Sequence, residues 1–277
     1  MEMVAAAKIR KAQARIEAAR PYALKMVELL EDVSHSTGEV THPLLKMPEA
    51  IENSLVVLVT SNRGLCGAFN TNAIRRAENV LRREEKEGKK VNIVTVGKKG
   101  GSYFKFVGRP PIKEYIISDE PRFAEALEIA NYLIEQFVSG AADRIYLIFN
   151  HFKSLLEQRP VEHRLLPIRE SVVKAEEVEG LEERRGEFLF EPSPQAVLER
   201  LLPNYVRVLV FRALLESVAS EHAARRAAMK AATDNAEEMI KSLTLVYNKA
   251  RQAQITQEIT EITTCAEAIR YSKQQGA

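Results

Sequence analysis

Apolar side chains recur with a helical period at both ends of the chain and with a strand period in the middle. Residues 1–33 hold no Gly and one Pro, and Ile9, Ala12, Ile16, Ala19, Ala23, Met26, Leu30 and Val33 follow one another at alternating steps of 3 and 4. That alternation is a heptad seam. Lys8, Arg10, Lys11, Arg15, Glu17 and Arg20 fall off it. Pro21 removes one backbone donor away from the seam, which predicts a bend and not a stop. Gly38, Pro43 and Pro48 end the helix. A second seam starts at Val208 and continues through Phe211, Leu215, Val218, His222, Arg225, Met229, Ala232, Ala236, Met239, Leu243, Val246, Ala250 and Ala253. Only His222 and Arg225 break it with polar groups. No Gly or Pro interrupts 204–275.

At 1.5 Å per residue such a helix spans on the order of 100 Å, longer than a compact domain of this size. It therefore projects, and its apolar stripe requires a partner. The N-terminal seam is the other heptad segment in the chain, so antiparallel pairing within the chain is the simplest solution. A homodimer is the alternative. Ala12, Ala19, Ala23, Ala232, Ala236, Ala250 and Ala253 are small seam residues, which allow close helix approach and a thin, stiff rod. Beyond Ala253 the seam rotates to Ile255, Ile259, Ile262, Ala266 and Ile269, with threonines and Gln/Glu between them. Threonine costs a few tenths of a kcal/mol in a helix. The tip is either a solvated face or one enclosed by other proteins and polar enough to slide.

Between the ends, Leu55–Thr60, Val91–Val96 and Arg144–Asn150 are short β-branched runs, as buried parallel strands are. Glu114–Ser118 and Val161–Ile168 read as further strands, the latter at an edge. Thr71–Lys86 and Arg122–Val138 read as helices. The alternation predicts a doubly wound α/β sheet. The segments are a coiled-coil helix over 1–34, an α/β domain over 50–192 and a coiled-coil helix over 195–275. The stretch 176–187 is a charged loop.

Composition narrows the function classes. The charge is nearly balanced, with 40 basic and 38 acidic residues, so nothing global points to nucleic acid or an anionic membrane. No apolar run reaches the ~20 residues of a membrane span. The N-terminus has no apolar signal core, and Glu2 and Glu17 argue against a transit peptide. Cys66 and Cys265 have no CxxC spacing; they predict free thiols in a reducing, intracellular compartment. Ser61-Asn62-Arg63-Gly64-Leu65-Cys66-Gly67 follows the first strand, where open α/β sheets bind phosphates. Its spacing is that of neither glycine-rich nucleotide motif. Gly97-Lys98-Lys99-Gly100-Gly101 reads as a basic turn. The histidines, His35, His42, His151, His163 and His222, form no HExxH pattern. No cofactor, metal or catalytic set is expected.

Three stretches then stand out together: Met3-Val4-Ala5-Ala6-Ala7-Lys8 and its continuation, Ser61 to Asn70, and Met229-Lys230-Ala231-Ala232-Thr233-Asp234-Asn235-Ala236 with Leu245 to Ala253 and Ile255 to Ile259. In this order and spacing the chain resembles the gamma subunits of F-type ATP synthases from residue 1 almost to its end. The resemblance implies a long antiparallel coiled coil of N- and C-terminal helices beside a doubly wound, Rossmann-like α/β domain. It implies a central rotor shaft, non-catalytic itself, inside a hexamer of alpha and beta subunits. The foot would sit with the epsilon subunit on the ring of c subunits, so that ion flow drives ATP synthesis. Membrane contact would be indirect, at the cytoplasmic side of a bacterial inner membrane or at an organelle inner membrane. Residues at the positions of the family's coupling contacts are Met1 at the collar, Arg225 on the long helix, and Arg251, Gln252, Thr256 and Glu261 near its tip. For Arg225 a salt-bridged seam position is the competing reading. The family carries several more helical turns before the position of Met1, which implies a truncated or downstream start. The chloroplast type's regulatory cysteine pair has no counterpart, so thiol switching is not expected. The rival functions are a homodimeric coiled-coil adaptor and a nucleotide-binding α/β enzyme with helical extensions.

Overall fold

The computed structural model describes residues 1–37, 42–168, 191 and 193–274. The charged stretch 176–187 lies outside them. Elements follow in the order α1 (Glu2–Thr37), β1 (Asn53–Val59), α2 (Phe69–Lys86), β2 (Lys90–Val96), α3 (Lys98–Phe106), β3 (Lys113–Tyr115), α4 (Phe123–Val138), β4 (Arg144–Phe152), β5 (Gln158–Leu166) and α5 (Pro194–Gln274). The sheet order is β3-β2-β1-β4-β5. All pairings are parallel except β4 with β5, which is antiparallel. This is the doubly wound sheet expected, closed at one edge by a hairpin.

The central strand explains its own sequence. β1 is flanked on both sides, with Val57 opposite Val94 and Leu147, and both its faces are covered. Leu55, Val57 and Val59 join a core with Met26, Leu30 and Val33 of α1, Ile129 and Leu133 of α4, and Leu198, Leu202 and Leu214 of α5. Val56 and Leu58 join a second core with Ala73, Ala77 and Leu81 of α2 and Phe104 of α3. Burial on both faces is why the strand reads as a continuous apolar run.

The basic turn expected at Gly97–Gly101 is instead the start of α3. Two glycines in a first helical turn disguise it, because glycine costs ~1 kcal/mol there. Close packing accounts for them: Gly100 stands against Thr60 and Leu58, and Gly101 against Glu114 and Thr95. Gly97 has φ +98°, and a Cβ there would stand 2.1 Å from the Thr60 carbonyl oxygen. Gly100 donates its N–H to Thr60 Oγ1 at 2.9 Å. β3 is shorter than the expected 114–118, and β5 begins earlier than Val161.

The packing divides the chain into two units, Met1–Ala228 and Met229–Ala277. In the first, α1 runs through Pro21 without ending, and every seam residue from Ile9 to Val33 is buried or half-buried. It lies antiparallel to the first part of α5. Glu2 reaches Arg226 at 3.6 Å, Ala12 shares a crevice with Leu215 and Val218, and Glu199 faces His42 just beyond α1. Lys8 and Arg15 tie α1 to Asp119 and Glu120 at 2.6 and 2.8 Å. The second unit is helical through Gln274, and every side chain from Lys230 to Ile269 is exposed. The expected pairing is present from Val208 to Arg225 in the first unit; within the second unit the seam residues from Ala232 to Ala253 are exposed.

Candidate functional site

In a sheet of this order the strand connections reverse direction between β1 and β4, and ligands of open α/β sheets bind outside the carboxyl ends of the strands at that point. Here the chain fills the place itself. Ser220 of α5 donates its hydroxyl to the Asn150 carbonyl at the end of β4, at 2.9 Å. The Asn150 amide donates to the Phe69 carbonyl at 3.3 Å. Asn70 Oδ1 accepts from the Ser61 N–H at 3.0 Å. Between Thr60, Asn62, Ser217 and Glu221 a cavity of about 10 Å³ is left, enough for one water, whereas small-molecule sites occupy about 300–1,000 Å³. Ser61 to Asn70 is accordingly a folded turn that docks α5, not a phosphate cradle. Because Ser220 is fully buried, Ser220→Ala is expected to cost about 1 kcal/mol in a urea titration, the net worth of one buried hydrogen bond.

Next to this crevice the structure gathers charges that sequence reasoning took singly or missed. Arg225, the polar break in the seam, pairs with Glu221 at 2.6 Å, its side chain only 12% exposed. The same guanidinium donates to the Gly64 carbonyl at 3.3 Å and lies 3.3 Å from His222 Nδ1. Burial lowers His222, with the Arg225 charge adding to it, to about 4. The imidazole is therefore neutral near pH 7, and its Nδ1 can accept a hydrogen bond from the guanidinium. Asp119, held low chiefly by Lys8, completes the group. The signal for Glu221 was present as an i,i+4 acid–base pair with Arg225, but it stands one turn away on a helix rich in such pairs.

The other residues named from the sequence lie apart. Met1 is 69% exposed. Arg251, Gln252, Thr256 and Glu261 are exposed along the second unit. Thr256 Oγ1 donates to the Gln252 carbonyl at 2.8 Å, and Glu261 accepts from the Gln257 amide at 3.0 Å. At about 100° per residue, Gln252 and Thr256 share a face and Glu261 lies opposite Gln252. Ile255, Ile259, Ile262 and Ile269 form an apolar stripe beside them, each roughly half-exposed or more. Thr260, Thr263 and Thr264 return their hydroxyls to carbonyls one turn back. That satisfies the hydroxyls internally and accounts for threonine in this helix. Among the described residues no cluster of His, Cys, Asp or Glu is placed to hold a metal, and no helix is long and apolar enough to cross a membrane.

The fold and these surfaces define a class. The first unit is a helix pair packed on an open α/β sheet whose ligand crevice is filled from within; the second is a helix exposed from Lys230 to Ile269. A family model described as "ATP synthase" matches residues 1–269. The ATP synthase gamma chain of Desulforamulus reducens is 44% identical over 273 residues, covering 97% of this chain and 92% of that one. That of Mycolicibacterium vanbaalenii is 42% identical over 287 residues, covering 98% and 92%. Among solved structures, the central stalk and c-ring of the Tetrahymena thermophila mitochondrial ATP synthase aligns with a TM-score of 0.62 at 26% identity, covering 84% of this chain and 97% of that one. The chain belongs to the ATP synthase gamma chain family.

Proposed function

We infer that this chain is the central-stalk subunit of an F-type ATP synthase, a shaft coupling ion flow through the membrane ring to ATP synthesis in the alpha/beta hexamer. The observation that carries this is the family match over almost the whole chain. The filled crevice supports a shaft that binds no nucleotide and performs no catalysis itself. The open helix from Lys230 to Ile269, apolar on one side and polar on the others, fits a surface enclosed by a ring of subunits. In this reading 1–34 and 195–275 are the shaft segments and 50–192 is the foot, facing the epsilon subunit and the c-subunit ring. The chain would sit peripherally, at the cytoplasmic side of a bacterial membrane. Met1, Arg251, Gln252, Thr256 and Glu261 contact the hexamer directly. Arg225, whose guanidinium points inward, acts through the Gly64 turn it holds.

Co-expression with alpha and beta subunits tests this. The chain is expected to co-purify with both, and a complex whose shaft ends at Ala228 is expected to hydrolyse ATP without pumping ions. Failure to co-purify, or binding and turnover of ATP by the isolated chain, would overturn the reading.

A further inference from the structure

Arg225 is the sole cross-link that the described structure shows between the α5 backbone turn at Glu221–Arg225 and the carbonyl of Gly64. Beyond that carbonyl the chain takes an unusual conformation: Leu65 has φ +62°, the one non-glycine residue at positive φ among those described, and its side chain is 65% exposed. A bulky residue held left-handed costs on the order of 1 kcal/mol or more and persists only where its surroundings enforce it. On one side the turn is anchored by Asn62, which donates to the Ile117 carbonyl at 2.7 Å and accepts from the Lys98 N–H at 3.2 Å. On the other side stands Arg225.

The strength of that second anchor depends on charge. With Glu221 ionised, the guanidinium is held in place by its bond to the carboxylate, and a charge-assisted bond is roughly twice as strong as a neutral one. With Glu221 protonated, a nearly buried cation is left without its counter-ion, and it gains by turning outward to water or toward Asp119. We propose that Glu221, Arg225 and the Gly64 carbonyl form a proton-sensitive clamp that fixes the Gly64–Leu65 turn when Glu221 is ionised and frees it when Glu221 takes up a proton. This goes beyond the shaft function and does not depend on it.

The surroundings set the pH range. Glu221 is flanked by Arg225 and His222 on its own helix, Lys8 of α1, Asp119 before α4, and Arg63 and Cys66 of the β1–α2 turn. Burial raises the Glu221 carboxyl above the ordinary carboxylate value, against the opposing pull of Arg225. Its proton is therefore taken up at a higher pH than that of an exposed glutamate. His222, at about 4, stays neutral through this range. A raised pKa in the folded state also means that proton uptake by Glu221 relieves a cost of folding, so acidification loosens the turn without unfolding the sheet.

The chain contains no tryptophan, so a single one introduced by Leu65→Trp reports the turn alone. Its fluorescence anisotropy in the full chain, followed downward from about pH 8, is expected to fall by about half in one titration whose midpoint lies above that of an exposed glutamate. With Glu221→Gln added, which is neutral and of the same shape, anisotropy is expected to be low and flat throughout. Amide hydrogen exchange of 62–67 in the chain with native Leu65, corrected for intrinsic rate, is the parallel measurement should the tryptophan prevent folding. Exchange is expected to accelerate at least about tenfold on acidification, and to be fast at every pH in the Glu221→Gln chain. A turn whose mobility does not change with pH, or a Glu221→Gln chain that titrates like the unsubstituted one, would overturn the clamp.

Discussion

Replacing Glu84 with alanine is expected to destabilise the Met1–Ala228 unit by about 3–5 kcal/mol, the cost of removing one partner from a buried charge network. Glu84 lies on α2 and is 1% exposed. Its carboxylate accepts from Ser54 Oγ at 2.8 Å, Tyr146 Oη at 2.8 Å and Lys89 Nζ at 3.0 Å. Arg144 lies 3.7 Å away. Lys89 is itself only 9% exposed, so deleting the acid leaves a nearly buried ammonium with Glu87 as its remaining ionic partner and takes the acceptor from the Ser54 and Tyr146 hydroxyls. Burial pushes the Glu84 carboxyl up; the bonds from Lys89, Tyr146 and Ser54 outweigh it and bring it down to about 2, from an ordinary value of 4.5. The sign follows. The folded pKa is depressed, so the unfolded chain binds more protons between these values. The stabilisation is whole above about 4.5 and is lost as pH falls through about 2. Urea unfolding followed by tyrosine fluorescence should show the native chain and Glu84→Ala converging as pH drops across that window. A constant difference between them down to pH of about 2, or a loss under about 1 kcal/mol at neutral pH, would contradict the network's role.

Glu84 also marks where the sequence stops being readable. The helix FNTNAIRRAENVLRREEK carries eight charged residues, and Glu84 is the acid in line with the buried face of Ala73, Ala77, Val80 and Leu81; spacing separates it from the solvated acids but does not tell a satisfied buried acid from a costly one. That distinction comes from Ser54 and Tyr146, on strands distant in the chain. The strands themselves were legible, because burial on both faces leaves continuous apolar runs at Leu55–Val59 and Ile145–Ile148. The seams were legible too, since α1 and the first part of α5 bury the residues the heptads single out. What periodicity could not tell is which seam residues are covered within this chain: those from Ala232 to Ala253 are exposed. α3 was hidden because its glycines answer to close contacts with Thr60, Thr95 and Glu114 and not to helix propensity. The same holds for Arg225: its break in the seam was visible, but its inward bonds to Glu221 and Gly64 depend on a loop 161 residues away.

Paired alanine substitution of Arg251 and Gln252 is expected to leave the chain's own stability within about 0.5 kcal/mol, as for exposed residues in general, while lowering ATP synthesis by the assembled complex at least about tenfold. Both side chains are exposed, and among the described residues Arg251 forms no ion pair. Their contribution to folding is therefore small. On the proposed reading they meet the hexamer, where truncating one member of a desolvated charge pair costs about 2–5 kcal/mol, and about 1.4 kcal/mol already amounts to tenfold. Thr256→Val makes the finer comparison: it keeps the shape but removes the hydroxyl that bonds back to Gln252. Because that bond is internal, the valine variant should retain most of the coupling, provided Thr256 touches the hexamer through its methyl group and not its oxygen. Lys241 and Lys249, exposed on the same helix, serve as controls. If their alanine pair abolished synthesis as fully as the Arg251–Gln252 pair, coupling would depend on the general charge of the helix and not on the two residues, and the contact assignment would fail.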